Sequence, residues 1–307
     1  MEFLTGTNID FIGKRKIVII ASLVVILAGI VSLFAHHGPR YGIDFSGGTL
    51  LVLHFSQPLP ADQIRDALKE VEVEGEKYDF SRAEIKRFGL PTDVSIRVKQ
   101  METKVGDAIK TTLRGKFSGF IPQTGWVLKH EKVGPKIGGE LKKKAVKAIL
   151  LALLIMLVYI SIRFEFKFAV GALAALFHDV LITVGIFSLL NREFSLAIIA
   201  ALLTIVGYSL NDTIVVYDRI RENLRLMHRT GYDQTINASI NQTLSRTIIT
   251  SFTTLLVVFT LYFLGGEVIR DFTFALMIGV FVGTYSSIFI ASPILVEWEA
   301  RSAHRRR

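Results

Sequence analysis

Six long apolar runs, at residues 17–35, 145–162, 168–190, 196–217, 247–264 and 272–296, dominate the chain. Each is long enough to cross a bilayer. A hydrocarbon core about 30 Å thick takes roughly 20 residues at about 1.5 Å rise per residue. Between the first and second runs the pattern changes to that of a water-soluble fold. Residues 49–55 form a β-rich run after a glycine turn. Residues 60–71 carry Ile64, Ala67, Leu68 and Val71 at helical spacing, and residues 103–117 do the same with Val105, Ile109 and Leu113. Residues 79–87 read as a strand, 93–99 alternate with Val94, Ile96 and Val98 on one face, and 126–133 read as a last strand. The predicted order is β-α-β-β-α-β, the split βαβ or ferredoxin-like pattern.

The expected fold is therefore a polytopic α-helical membrane protein with six transmembrane helices and a small α+β domain, residues 36–140, between helices 1 and 2. Residues 1–16 precede the first span, 141–300 hold the five-helix bundle, and 301–307 form a basic tail. The run at 17–35 follows a basic stretch but is longer than a signal-peptide core. Leu33 also stands where cleavage wants a small residue, so the run reads as an anchor.

Charge placement sets the expected orientation. The net charge of +9 would suit nucleic acid, but the cations sit where they favour a membrane instead. Lys14, Arg15 and Lys16 precede the first span, and Arg163 and Lys167 follow the second. Arg219, Arg221, Arg225, Arg229 and Arg246 follow the fourth, and Arg301 with residues 305–307 follow the sixth. These are alternate connections, and positive charge in short loops marks the cytoplasm. The opposite short loops hold one arginine each, offset by Glu193, Glu267 and Asp271. Both termini are expected inside and the α+β domain outside. Lys142–Lys144 run against this, at the end of a long loop where the rule weakens. Residues 218–245, polar and Arg-rich, read as a cytoplasmic helical segment beside anionic lipid. With no cysteine, the chain has no disulfides. No phosphate-binding loop, metal cluster or activated nucleophile is apparent, so no enzyme and no cofactor are expected.

The candidate chemistry lies in ionisable groups inside the spans, which are costly there and usually face a partner or a water-filled path. Asp179, preceded by His178, falls near the middle of the third span. Asp212 falls about 24 Å along the fourth at the helical rise. Arg246 opens the fifth, followed by the hydroxyls of Thr247, Thr250, Ser251, Thr253 and Thr254. Two readings are open: polar contacts between helices, or a proton relay in which an aspartate gains and loses an arginine partner. Gly279 and Gly283 form a GxxxG pattern that permits close helix approach.

Longer motifs carry a family resemblance. Residues 41–49 read Tyr-Gly-Ile-Asp-Phe-Ser-Gly-Gly-Thr, with Asp44, Phe45, Gly47 and Gly48. Residues 133–138 read Val-Gly-Pro-Lys-Ile-Gly, and His178-Asp179 follows in the third span. Residues 207–222 run Gly207-Tyr-Ser-Leu-Asn211-Asp212-Thr213 through Asp218-Arg219 to Glu222, and 242–247 read Gln-Thr-Leu-Ser-Arg-Thr. From the first span to the last, these resemble the SecF branch of the SecD/SecF family in the RND superfamily.

That resemblance implies a subunit of the bacterial inner membrane, with a periplasmic domain, that pairs with SecD as a pseudo-symmetric half. It implies work beside SecYEG, SecA and a YajC-like subunit, drawing unfolded preprotein across with the proton motive force. The family's intramembrane pair falls on Asp212 and Arg246. The Asp44-Phe45…Gly47-Gly48 motif is a family mark, whose glycines suggest a flexible junction. Two other functions suit the same pattern. One is half of a small-molecule or lipid exporter, although such chains carry both halves and larger outer domains. The other is a non-conducting assembly scaffold.

Overall fold

A computed structural model describes residues 7–99, 104–227 and 229–305. Residues 1–6 of the expected cytoplasmic N-terminus, Thr103 of the predicted helix and residues 306–307 of the basic tail lie outside them. Two compact units result, one of residues 1–40 with 146–307 and one of residues 41–145.

The smaller unit is the α+β domain. A short helix α2 (Ile43–Ser46) leads into β1 (Gly48–His54), followed by α3 (Ala61–Ala67), β2 (Val71–Val73), β3 (Glu76–Tyr78), β4 (Glu84–Phe88), β5 (Leu90–Val98), α4 (Val105–Lys116) and β6 (Val127–Val133). Strands β4-β5-β1-β6 form one antiparallel sheet, so the first long strand lies between the third and last, as a ferredoxin-like chain requires. The helical stripes cover one face, and Leu51, Leu53, Phe55, Ile64, Ile96, Ile109 and Leu113 are buried in its core. Several boundaries differ from the periodicity: the strand expected over residues 79–87 begins only at Glu84, and the one expected over 93–99 begins already at Leu90. The helix predicted over 60–71 stops at Ala67, and Val71 instead opens a β2–β3 hairpin. Glu74 and Gly75 turn that hairpin with φ of 54° and 88°, the positive pair a tight hairpin needs.

The larger unit is all helix: α1 (Arg15–Ala35), the later part of α5 (Pro135–Arg163), α6 (Phe166–Leu189), α7 (Leu196–Leu226), α8 (Tyr232–Leu264), α9 (Glu267–Ser286) and α10 (Ser292–Arg305). A π-helical turn, Ser287–Ala291, joins the last two into one span. Among the described residues, six helices are thus long and apolar enough to cross a membrane. Pro135 opens α5, a position where its missing N–H costs nothing, and the helix starts ten residues before the apolar run. The polar stretch 218–245 is no separate element: α7 and α8 extend into it and leave a short connection. Asn223 on α7 donates to Ser239 at 2.9 Å and Gln242 at 2.8 Å on α8, tying the extensions together.

Packing in the bundle follows membrane logic. On α1 the buried residues are Ser22, Gly29 and Ser32, while Ile17 is 74% exposed. Lipid solvates the apolar side chains, so close approach through small residues supplies the contact. A Cβ on Gly29 would lie 2.6 Å from the Gly185 Cα of α6, and the Ser32 and Ser188 hydroxyls bond at 2.9 Å. The GxxxG pattern does the same for α9, where a Cβ on Gly279 would strike Ile205 and one on Gly283 would lie 2.9 Å from Ser209 of α7. Before α1, the chain folds back on α8. Asn237 Oδ1 accepts the Phe11 and Ile12 N–H groups, and Asn241 Oδ1 accepts that of Ile9. Phe11 and Ile12 are buried in the bundle core.

Candidate functional site

Two aspartates are buried within the bundle, and each is held by hydroxyls. Asp212 on α7 is 7% exposed. Thr247 of α8 donates to its Oδ1 at 2.6 Å, and Ser287 donates to its Oδ2 at 2.5 Å. Asp179 on α6 is fully buried. Its Oδ2 accepts from Ser209 of α7 at 2.5 Å and from Ser286 at 2.8 Å, and its Oδ1 faces His178 Nδ1 at 2.9 Å. The two carboxylates therefore meet consecutive residues, Ser286 and Ser287, at the point where α9 enters its π turn.

Helix geometry explains how one element reaches both. Neighbouring residues on a helix point about 100° apart. Because α9 packs against both α6 and α7, one serine can meet Asp179 on the first and the next Asp212 on the second. The π turn has a local cause in Pro293, which offers no N–H to the ladder and crowds the carbonyl four residues back, Phe289. Ser292, fully buried, donates its hydroxyl to the Ser287 carbonyl at 2.9 Å.

His178 is also buried. Its Nε2 has no hydrogen-bond partner among the described residues, and its ring stacks on Tyr285 with centroids 5.9 Å apart. The Tyr285 hydroxyl donates to the Val18 carbonyl of α1 at 3.0 Å and lies 2.8 Å from the Ser22 hydroxyl. Tyr285 further packs on Phe289, and Phe289 on Phe11. An aromatic row thus connects the His178-Asp179 pair to the π turn and the N-terminal segment.

The other sequence-singled residues fall differently. Arg246 is exposed on α8, one position before Thr247, and makes no ion pair with Asp212 within 4 Å. The neutral hydroxyls of Thr247 and Ser287 stand against the carboxylate instead. Asn211 and Gly207 are exposed, and Thr213 turns its hydroxyl back to the Ser209 carbonyl at 3.1 Å. Asp44 is half-buried on α2, and Phe45 is buried with its ring edge-on to Tyr41. Gly47 and Gly48 take φ of 73° and 122°, and a Cβ on Gly48 would lie 2.5 Å from the Val98 carbonyl of β5. The angles and the close approach require glycine there. Ser209, Ser286, Ser287 and Tyr285 were not singled out from the sequence. Pro293, inside the last apolar run, was the available signal for the π turn.

Residues 121–301 match the family described as protein export membrane protein SecD/SecF, C-terminal, and residues 32–59 match the SecD/SecF GG motif. The protein translocase subunit SecF of Rhodothermus marinus is 46% identical over 315 residues, covering 100% of this chain and 98% of that protein. The SecF subunit of Thermodesulfovibrio yellowstonii is 42% identical over 300 residues, covering 96% of each. The crystal structure of SecDF, a translocon-associated membrane protein from Thermus thermophilus, superposes with a TM-score of 0.85 at 40% identity. That match covers 98% of this chain but 40% of the SecDF chain, so this chain corresponds to less than half of the longer protein. SecDF in its super-membrane-facing form superposes with a TM-score of 0.72 at 39% identity, covering 100% of this chain and 41% of that one. With motifs, fold and full-length relatives in agreement, the chain belongs to the SecD/SecF family of protein export membrane proteins, on its SecF branch.

Proposed function

We propose that this chain is the SecF-type subunit of a bacterial inner-membrane complex with SecD, and that it converts proton movement into assistance for preprotein translocation. The observation that carries the coupling is the pair of buried carboxylates, Asp179 and Asp212, set in spanning helices against hydroxyls and a histidine. A carboxylate there is expensive unless its charge is put to use, and neutral donors allow either protonation state where a fixed cation would hold the ionised one. Asp212 is the principal proton site and Asp179 with His178 a second. Arg246, exposed beside Thr247, is placed to approach Asp212 when α7 and α8 shift. The arginine-rich connections support a cytoplasmic side for both termini and a periplasmic side for the α+β domain. There it meets unfolded preprotein emerging from SecYEG, with SecA acting from the inside and a YajC-like subunit alongside.

The test is Asp212→Asn, which keeps the volume and some hydrogen bonding but removes titration. Preprotein export into vesicles is measured with and without a proton gradient, alongside accumulation in the membrane. The variant accumulates normally and loses the gradient-dependent part of export. Full gradient-dependent export by a normally accumulating variant excludes the proton role. A fall in accumulation of Asp212→Asn that a second, neutral replacement of Arg246 reverses marks a structural ion pair instead.

A further inference from the structure

We infer that Ser286 and Ser287 are positioning residues for proton exchange at Asp179 and Asp212, acting as paired hydroxyl rotors with a second acceptor already in place. This rests on the proton-coupling reading above and assigns it two residues. Each serine has a single proton to donate and two acceptors within reach. Ser287 Oγ lies 2.5 Å from Asp212 Oδ2 and 3.0 Å from the Thr284 carbonyl. Ser286 Oγ lies 2.8 Å from Asp179 Oδ2 and 3.1 Å from the Gly283 carbonyl. A hydroxyl gives one hydrogen and accepts through two lone pairs, so each serine has two complete arrangements. With an ionised aspartate it donates to the carboxylate. With a protonated one, the carboxyl O–H donates to the serine oxygen, and the serine hydrogen turns to the carbonyl one helical turn back. No buried donor or acceptor is orphaned in either state, which removes the penalty that would otherwise fix one state.

The other donors to these carboxylates lack this provision. Thr247 on Asp212 and Ser209 on Asp179 have no alternative acceptor among the described residues. The remaining titratable neighbours are His178 against Asp179, Tyr285 stacked on His178, Tyr208 bonded at 3.4 Å to Ser251 and Thr254 on α8, and Arg246 next to Thr247. None of them provides a reversible hydroxyl at Asp212. The π turn makes the pair possible. It follows immediately after Ser286, and its carbonyl at Ser287 is satisfied by the buried Ser292 hydroxyl. Because the two serines are consecutive, a change of state at one carboxylate is felt at the same turn that holds the other.

The experiment uses the full chain in membranes with its partner subunit and compares Ser287→Ala, Ser287→Thr, Asp212→Asn and the Asp212→Asn/Ser287→Ala double variant. Ser287→Ala lowers gradient-stimulated export about tenfold, the size of one charge-assisted hydrogen bond, with membrane accumulation unchanged. Ser287→Thr, which keeps the hydroxyl, restores most of it. The double variant behaves as Asp212→Asn alone, because the serine acts only through the carboxyl. In infrared titration, the protonated-carboxyl band that disappears in Asp212→Asn is displaced in Ser287→Ala. Wild-type export by Ser287→Ala, an undisplaced band, a fall in its accumulation, or failure of Ser287→Thr to restore export overturns the assignment. If Asp212→Asn is inactive while Ser287→Ala is normal, only the serine role falls. If Asp212→Asn is fully active, the proton-coupling reading falls with it.

Discussion

Gly48→Ala tests whether the double-glycine turn works by backbone geometry. Gly48 holds φ of 122°, and a Cβ there would lie 2.5 Å from the Val98 carbonyl. Thr49, the next residue, pairs with Val98 across β1 and β5, and Gly48 itself pairs with Val133 of β6. The substitution meets two costs. Holding a non-glycine residue at such an angle costs about 1–3 kcal/mol. Relieving the clash moves a ladder carbonyl and weakens one or two sheet hydrogen bonds, at about 0.5–1.5 kcal/mol each. The sum is about 1.5–6 kcal/mol. Gly125→Ala is the control, since Gly125 has φ of 74° but open space where its Cβ would be, so it meets only the angular cost of about 1–2 kcal/mol. For a domain near 100 residues, each kcal/mol moves Tm by roughly 4–8 °C. The domain produced as residues 42–134, which carries its own core, should melt about 4–16 °C lower with Gly125→Ala and further still with Gly48→Ala, which adds the lost ladder bonds to the angular cost. Equal losses in the two variants would refute the reasoning, because the contact with Val98 would then restrict nothing.

Gly279→Leu should destabilise the full-length protein by about 1–3 kcal/mol through overpacking against Ile205. It should also depress gradient-dependent export, since Gly283 on the same helix seats Ser209 beside Asp179; unchanged unfolding in detergent would sink that account. Reporters fused at residues 80 and 230 should localise outside and inside respectively; both on one side would contradict the arginine pattern. In the α+β domain, the Ser81 hydroxyl and its backbone N–H hold the Asp79 carboxyl below its ordinary value of 3.8. A lowered folded pKa gives stability that is complete above the unfolded value and lost as pH falls through the folded one. Asp79→Asn should therefore flatten the acid limb of the domain's stability below about pH 4, and an unchanged limb would count against it.

What the sequence by itself determined was everything that depends on counting along the chain. Apolar runs of bilayer length set the six spans. Alternation and helical spacing placed the main strands and helices of the α+β domain, and the cost of charge in hydrocarbon singled out Asp179 and Asp212. Local rules also had limits that other residues explain. Val71 fits the helical stripe of residues 64–68 as well as it fits a strand, and only its pairing with Tyr78 puts it in the hairpin. The tertiary structure alone decided who meets whom. Sequence placed an arginine next to Thr247, yet the groups that touch Asp212 come from α8 and from the turn after α9, 35 and 75 residues away. Serines in an apolar helix carry no sign of their partner, because a hydroxyl satisfies itself on its own helix as readily as on a neighbour's carboxylate. Only the close approach of α9 to α7, through Gly279 and Gly283, and the π turn before Pro293 bring Ser286 and Ser287 to two different aspartates.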